Sequence, residues 1–226
     1  MTEFTSIIMT AYPQSLYLAQ MTMASIASVT RYTDPEDYEF ILMSDSEKFS
    51  VRDDHKVLKI DRYEKTEGWG YTKSMNKGAK LAKGKYLVFL QNDVFVPEGW
   101  LLHLQYYLDH GLADCVIPDQ MPRSREFVKK SYSMSYEEAM KFGSRDAGLL
   151  MITKEAFNKI GGWNEELSLL AERDFYERMA AAGIKQIDTC KVMVSHIMAA
   201  TNFSRMHIKP EEYEEMIKKD AGILNK

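Results

Sequence analysis

The segment "FLQNDV" breaks an apolar run with three polar residues, Gln91, Asn92 and Asp93, before the chain turns apolar again at Val94. Other apolar runs also end in polar groups: "SIIMTAY" at Thr10, Ala11 and Tyr12, "FILMSD" at Asp45, "CVIPD" at Asp119 and "VMVSH" at His196. In an open α/β sheet, ligands bind beyond the carboxyl ends of the strands. Carboxylates and an imidazole gathered at one such rim suit a divalent cation together with a phosphorylated ligand. Mg²⁺ or Mn²⁺ accepts carboxylate, imidazole and phosphate ligands at once. Taken singly, Asp93 and Asp45 read first as turn or cap residues. His196 alone reads as a strand-end histidine bonded to nearby backbone.

The elements that would hold these residues follow from periodicity. Leu16, Ala19, Met23, Ala27 and Thr30 recur at three- and four-residue spacing, predicting a helix from Ser15 to about Arg31. "YEFILMSD" is a second strand, ending at Asp45, and "HKVLKID" a third. Met75, Ala79 and Ala82 form the inner face of a helix over Tyr71–Ala82, with Gly84 as its stop. Tyr86–Leu90, apolar on both faces, suits a central parallel strand. Pro97 opens a helix with Leu101, Leu104 and Leu108 inward, and "ADCVIP" is a further strand.

"GLLMITKEAFNKIGGWNEEL" reads as a strand, a short helix from near Thr153 and a Gly-Gly turn. Ala171–Ala182 is a helix with Phe175, Met179 and Ala182 inward. "KQIDTCKVMVSH" supplies one or two edge strands, and a charged final helix starts at Pro210. "RSREFVKK" reads as a solvated basic loop, or as one that meets a diphosphate or an anionic acceptor.

The totals exclude several classes. At 226 residues with a net charge of −4, the chain fits one α/β domain and lacks a global basic field for nucleic acid or anionic membrane. No apolar stretch reaches membrane-span length and the N-terminus lacks a signal-type pattern, so the expected location is cytoplasmic and soluble. Cys115 and Cys190 lie in apolar contexts and read as buried thiols. Walker-type, HExxH, CxxC and GxSxG motifs are absent from the sequence.

Six blocks, in order, carry a resemblance: "SIIMTAY", "FILMSDSE", "GWGYTKSMNKGAKLAKGKYLVFLQNDVFVPEGWL", "AGLLMITKEAFNKIGGWNEEL", "AERDFYERMAAAGIK" and "VSH". Together they resemble the inverting family-2 nucleotide-sugar glycosyltransferases over about Ser6 to His196. The resemblance implies a single GT-A, Rossmann-like α/β domain with a mainly parallel central sheet flanked by helices. Its nucleotide-binding half would cover about residues 1–120 and its acceptor and catalytic half about 121–205, with a C-terminal helix over about 210–220.

It further implies nucleobase recognition, usually of uracil, by Asp45, a nucleoside cover from Thr10, Ala11 and Tyr12, and base or ribose contacts from Lys73 and Asn76. The family's Asp-x-Asp metal motif falls on Gln91, Asn92 and Asp93. Asp93 therefore keeps the Mn²⁺ or Mg²⁺ role together with His196. Gln91 replaces the first acid; it can still bond a ribose hydroxyl but adds no charge. The "E-D-x-D-x-x-x-R" helix maps to "AERDFYER", which puts Glu172 at the catalytic base and Asp174 at the second acid. Both also suit a helix N-terminus simply by opposing its dipole.

Trp163 reads as a sugar-facing aromatic or as a core residue pinning the turn. Asp119 and Asp146 map to segments that face donor sugar and acceptor. The implied activity is metal-assisted, inverting transfer from a nucleotide sugar, expected to be UDP-linked. The acceptor would be a glycan, a lipid-linked sugar, a protein or a modified nucleobase. Loss of the first acid and Glu in the base position keep open a non-catalytic nucleotide-sugar-binding protein of the same fold.

Overall fold

The computed structural model describes residues 3–13, 15–44, 58–66, 70–143, 148–197 and 210–225. Along the chain these form β1 (Thr5–Ala11), α1 (Leu16–Tyr32), β2 (Tyr38–Ser44), β3 (Arg62–Lys65), α2 (Tyr71–Leu81), β4 (Tyr86–Gln91), β5 (Val94–Phe95) and α3 (Trp100–Asp109). There follow β6 (Cys115–Gln120), α4 (Arg125–Ser133), α5 (Tyr136–Ala139), β7 (Leu149–Thr153), α6 (Lys154–Lys159), α7 (Ala171–Ala181), β8 (Gln186–His196) and a final helix, α8 (Pro210–Leu224).

The strands order as β3-β2-β1-β4-β7-β6-β8-β5. The first four are mutually parallel, β7 runs antiparallel to both neighbours, and β6 and β8 are parallel again. The sheet is thus mixed: four parallel strands come from the N-terminal half, and a second parallel pair lies beyond β7. Successive side chains of a strand face opposite layers. Accordingly Ile7, Met9, Val88 and Leu90 pack with Ile26 and Val29 of α1 and Trp100 and Leu104 of α3. Ile8, Leu87 and Phe89 pack on the other side with Met75 of α2, Phe157 of α6 and Phe175 and Met179 of α7. Each such fully buried side chain contributes on the order of 1.5–3 kcal/mol. Cys115 and Cys190 are buried thiols.

Several boundaries differ from the sequence expectations. The third strand lies at Arg62–Lys65, just past "HKVLKID". Asp61 takes the place of a ladder there: its carboxylate accepts from Phe40 N at 2.8 Å, and its own N–H donates to Phe40 O at 3.0 Å. Residues 55–57 of that expectation lie outside the described residues. Helix α3 starts at Trp100, not Pro97, because Gly99 adopts a left-handed φ of 72° immediately before it.

Gly84 is not a helix stop of the left-handed kind; a Cβ there would lie 2.5 Å from Ser6 N and 2.8 Å from Phe4 O. It is needed where α2 hands over to β4 against the backbone of β1. The basic stretch is a helix, α4, capped by Ser124 accepting from Phe127 N at 3.2 Å. Strand β8 is a single strand lying between β6 and the two-residue β5, so it is not an edge.

Candidate active site at the carboxyl rim of the sheet

Strand β4 ends at Gln91, and the next two residues bend the chain into β5. A polar stripe on α1 fixes this bend. Thr22 Oγ1 accepts from Asn92 Nδ2 at 2.9 Å, the Ser25 hydroxyl donates to Val94 O, and Ser28 Oγ accepts from Val96 N at 3.2 Å. Three hydroxyls at three-residue spacing share one helix face, so they can line one segment. Asn92 is therefore buried and faces α1.

Asp93 is 3% exposed. Its partner comes from the far end of the chain: β5 and β8 are antiparallel, with Val94 opposite His196. That register brings His196 Nε2 to 3.3 Å from Asp93 Oδ1. The backbone closes the same corner, with Ile197 N donating to Asp93 O at 3.1 Å. Gly148 leaves room for the imidazole, since a Cβ there would sit 2.7 Å from His196 Nδ1.

These two side chains fit a divalent cation as neighbouring ligands. Octahedral ligands about 2.1 Å from an ion stand about 3.0 Å apart, close to the spacing of this pair. Among the described residues no cluster of three or more His, Cys, Asp or Glu side chains could hold a metal. Two protein ligands would leave most positions to phosphate oxygens and water, which is the usual manner of Mg²⁺.

A second carboxylate arrives on α7. Glu172 lies in the first turn of that helix, and its Oε1 accepts from Gln91 Nε2 at 3.4 Å. The two positions that depart most from the sequence pattern, Gln91 and Glu172, therefore meet each other. Tyr71 lies close by; burial first, then the charge of Glu172 and the neighbouring Tyr176, holds its phenol well above the usual range. It stays neutral at any working pH.

Asp174 has a different setting. It is 9% exposed, and its Oδ2 accepts from Arg178 Nε and Nη2 at 2.8 and 2.6 Å. Arg178 Nη1 also donates to the carbonyls of Ile160 and Gly162 at 2.6 and 2.7 Å. The pair thereby ties α7 to the Gly-Gly turn, where Gly161 and Gly162 both have φ of 76°.

Asn76 holds that turn from α2. Its Nδ2 donates to Trp163 O at 2.8 Å and Glu165 Oε1 at 2.9 Å, while its Oδ1 accepts from Trp163 N at 2.9 Å. Trp163 is 2% exposed and stacks on Phe175 with ring centroids 4.1 Å apart. The Asn76 amide is thus engaged by the turn, and the Trp163 ring is packed in the core.

Thr10 pairs across β1 with Gln91 and Met43, and Ala11 with Ser44, so the first strand ends at the same rim. Tyr12 follows it, half-buried, and Lys73 is exposed on the first turn of α2. Asp119 is buried and bound by Arg123 through two bonds of 2.9 Å. Asp45 and Asp146 lie outside the described residues. The sequence reading missed the α1 hydroxyl stripe, although its spacing was visible. It also missed Gly148, which carries no signal without the register of β8.

The carboxyl rim of an α/β sheet is where ligands bind, and here that rim gathers acids and a histidine. The profile of "Glycosyl transferase family 2" matches residues 6–163, most of the chain, and the chain belongs to that family.

A fruit-fly protein described as "Putative polypeptide N-acetylgalactosaminyltransferase 13" (Drosophila melanogaster) is 26% identical over 203 residues, taking in 73% of this chain and 36% of the relative. A solved structure titled "Crystal structure of GalNAc-T7 with UDP, GalNAc and Mn2+" aligns with a TM-score of 0.68 at 16% identity, covering 86% of this chain and 44% of that one. The chain spans less than half the length of each. Among the described residues no helix is long and apolar enough to cross a membrane.

Proposed function

We propose that the chain transfers a sugar from a UDP-linked donor to an acceptor hydroxyl with inversion at the anomeric carbon. Family membership supports sugar transfer. The titles of the solved neighbour and the fruit-fly relative support a UDP donor and make a polypeptide the first acceptor to test. Glycan, lipid-linked sugar and modified nucleobase acceptors follow it.

In this reading Thr10, Ala11, Tyr12, Asp45 and Lys73 surround the nucleoside, and about residues 1–120 form the nucleotide-binding half. Asp93 and His196 would hold Mn²⁺ or Mg²⁺, and a bound ion would supply charge neutralisation for the departing diphosphate. Glu172 takes the proton of the acceptor hydroxyl as that oxygen bonds the anomeric carbon. The bond from that carbon to the diphosphate oxygen breaks, and its electron pair leaves with UDP. Gln91, neutral where the family places an acid, donates to Glu172 and holds it toward the strand ends. Asp174, engaged by Arg178, supports the helix.

The observation that carries this reading is the 3.4 Å contact of Gln91 with Glu172, two residues from Asp93. It joins the candidate base and the candidate metal corner in one place. Calorimetry of UDP with and without Mn²⁺ tests it: affinity should rise with the ion, and Asp93→Ala should abolish that rise. Equal UDP affinity with and without metal would remove the metal assignment. The anomeric configuration of the product, read by NMR, tests the base. Retention of the donor's configuration would contradict direct deprotonation by Glu172.

A further inference from the structure

Helix α8 is largely a charged, exposed helix, yet it buries one carboxylate completely: Asp220 is 0% exposed. A buried carboxylate is costly unless charge-assisted hydrogen bonds satisfy it. Asp220 Oδ2 accepts three successive backbone N–H groups, from Ser168, Leu169 and Leu170, at 2.9, 2.6 and 3.0 Å. Leu170 is the N-cap of α7 and provides no capping side chain of its own. An acid from a helix 50 residues further along therefore satisfies the N–H of the N-cap residue and of the two residues leading into it. Its negative charge also faces the positive end of the α7 dipole.

The anchoring of α8 is consistent with this role, since Ile223 and Leu224 pack against the core layer that contains Phe175 and Met179 of α7. From the opposite side, Thr72 Oγ1 donates to Leu167 O at 3.3 Å, and Asn76 holds Trp163 and Glu165. The segment 163–170 is thus gripped between α2 and α8. Glu172 stands two residues beyond it.

We propose that Asp220 is the positioning residue for Glu172: it sets where α7 begins and hence where the base carboxylate stands relative to Gln91 and Asp93. The proposal rests on Glu172 being the base. A displacement of about 1 Å at a reacting group can cost about 100-fold in rate. Asp220 lies far along the chain from the sequence blocks that resemble the family.

The test is kinetic, on the full chain, with Asp220→Asn as the main variant because it preserves shape while removing charge. Asp220→Ala is the more severe change and Asp220→Glu the conservative one. Asp220→Asn should lower kcat about 10- to 100-fold while donor KM and UDP affinity stay within about twofold. Asp220→Glu should recover part of kcat. Added to Glu172→Gln, Asp220→Asn should slow transfer no further, because both changes act through one carboxylate.

In hydrogen exchange, the 168–170 amides should be protected in the wild type and exchange faster in Asp220→Asn. A lower Tm with unchanged kcat would overturn the proposal, as would losses that multiply in the double variant. Wild-type chain that turns over no donor, yet shows protected 168–170 amides, would instead overturn Glu172 as base and the proposal with it.

Discussion

Two polar clusters, both drawn from the same sequence blocks, use their side chains in opposite ways. Beneath α7, polar groups meet backbone. Both amide atoms of Asn76 bond the Trp163 peptide groups, and Arg178 reaches the carbonyls of Ile160 and Gly162 while Asp174 steadies it. At the strand ends, side chains meet side chains: Asp93 with His196, and Gln91 with Glu172. Side-chain-to-backbone bonds fix a turn for good. Contacts between polar side chains at a rim can be exchanged for a cation, a phosphate or a hydroxyl. In the proposed reading the first cluster holds and the second reacts, although a motif lists their residues together.

Four substitutions can break or sharpen that division. The largest effect is expected at the rim. Glu172→Gln should cut transfer by about 10²- to 10⁴-fold, the usual contribution of a general base, with UDP affinity unchanged. Undiminished transfer would move the base elsewhere, Asp174 being the nearest alternative.

In the holding cluster, Asn76→Ala removes three hydrogen bonds and should cost about 2–3 kcal/mol of stability in urea denaturation. UDP affinity of the folded protein should not change. A normal urea midpoint with weakened UDP binding would place Asn76 with the reacting residues.

A smaller effect is expected for Gln91→Glu. A second negative charge beside Glu172 opposes its ionisation. Activity that needs the ionised base is lost as pH falls, so the acid limb of the pH–rate profile should move to higher pH. An unmoved limb would mean that Gln91 does not act on Glu172.

The smallest concerns His103 on α3, which belongs to neither cluster. Burial, and then Lys191, lower its pKa, and its Nδ1 lies 2.7 Å from the Tyr136 hydroxyl. The unfolded chain takes up this proton at about pH 6.5, while the folded chain resists it to lower pH. The stabilisation is full above that value and is lost as pH falls through the window below it. His103→Gln should narrow the Tm difference between pH 7.5 and 5.5 without affecting transfer.

Much of the scaffold was legible from residue pattern alone. Apolar runs such as Tyr86–Leu90 and the spacing of Met75 and Ala79 marked strands and helices because burial imposes those periods. The polar residues ending the runs marked the rim. What was hidden depends on partners distant in sequence. Nothing near Asn76 shows that it meets Trp163, because that contact requires α2 to lie beside the Gly-Gly turn.

Trp163 had two equal readings until its stacking on Phe175 placed it in the core. The cations of "RSREFVKK" masked the helix α4, whose start depends on the cap at Ser124. Gln91 and Glu172 looked like two separate departures from a pattern. Only the approach of α7 to the end of β4 makes them a pair.

A crystal structure of the full chain grown with UDP and Mn²⁺ tests the central claim most directly. The ion should be bound by Asp93 and His196 and by the diphosphate, with Glu172 facing the open side of the same site. UDP bound elsewhere, or an ion touching neither Asp93 nor His196, would contradict it.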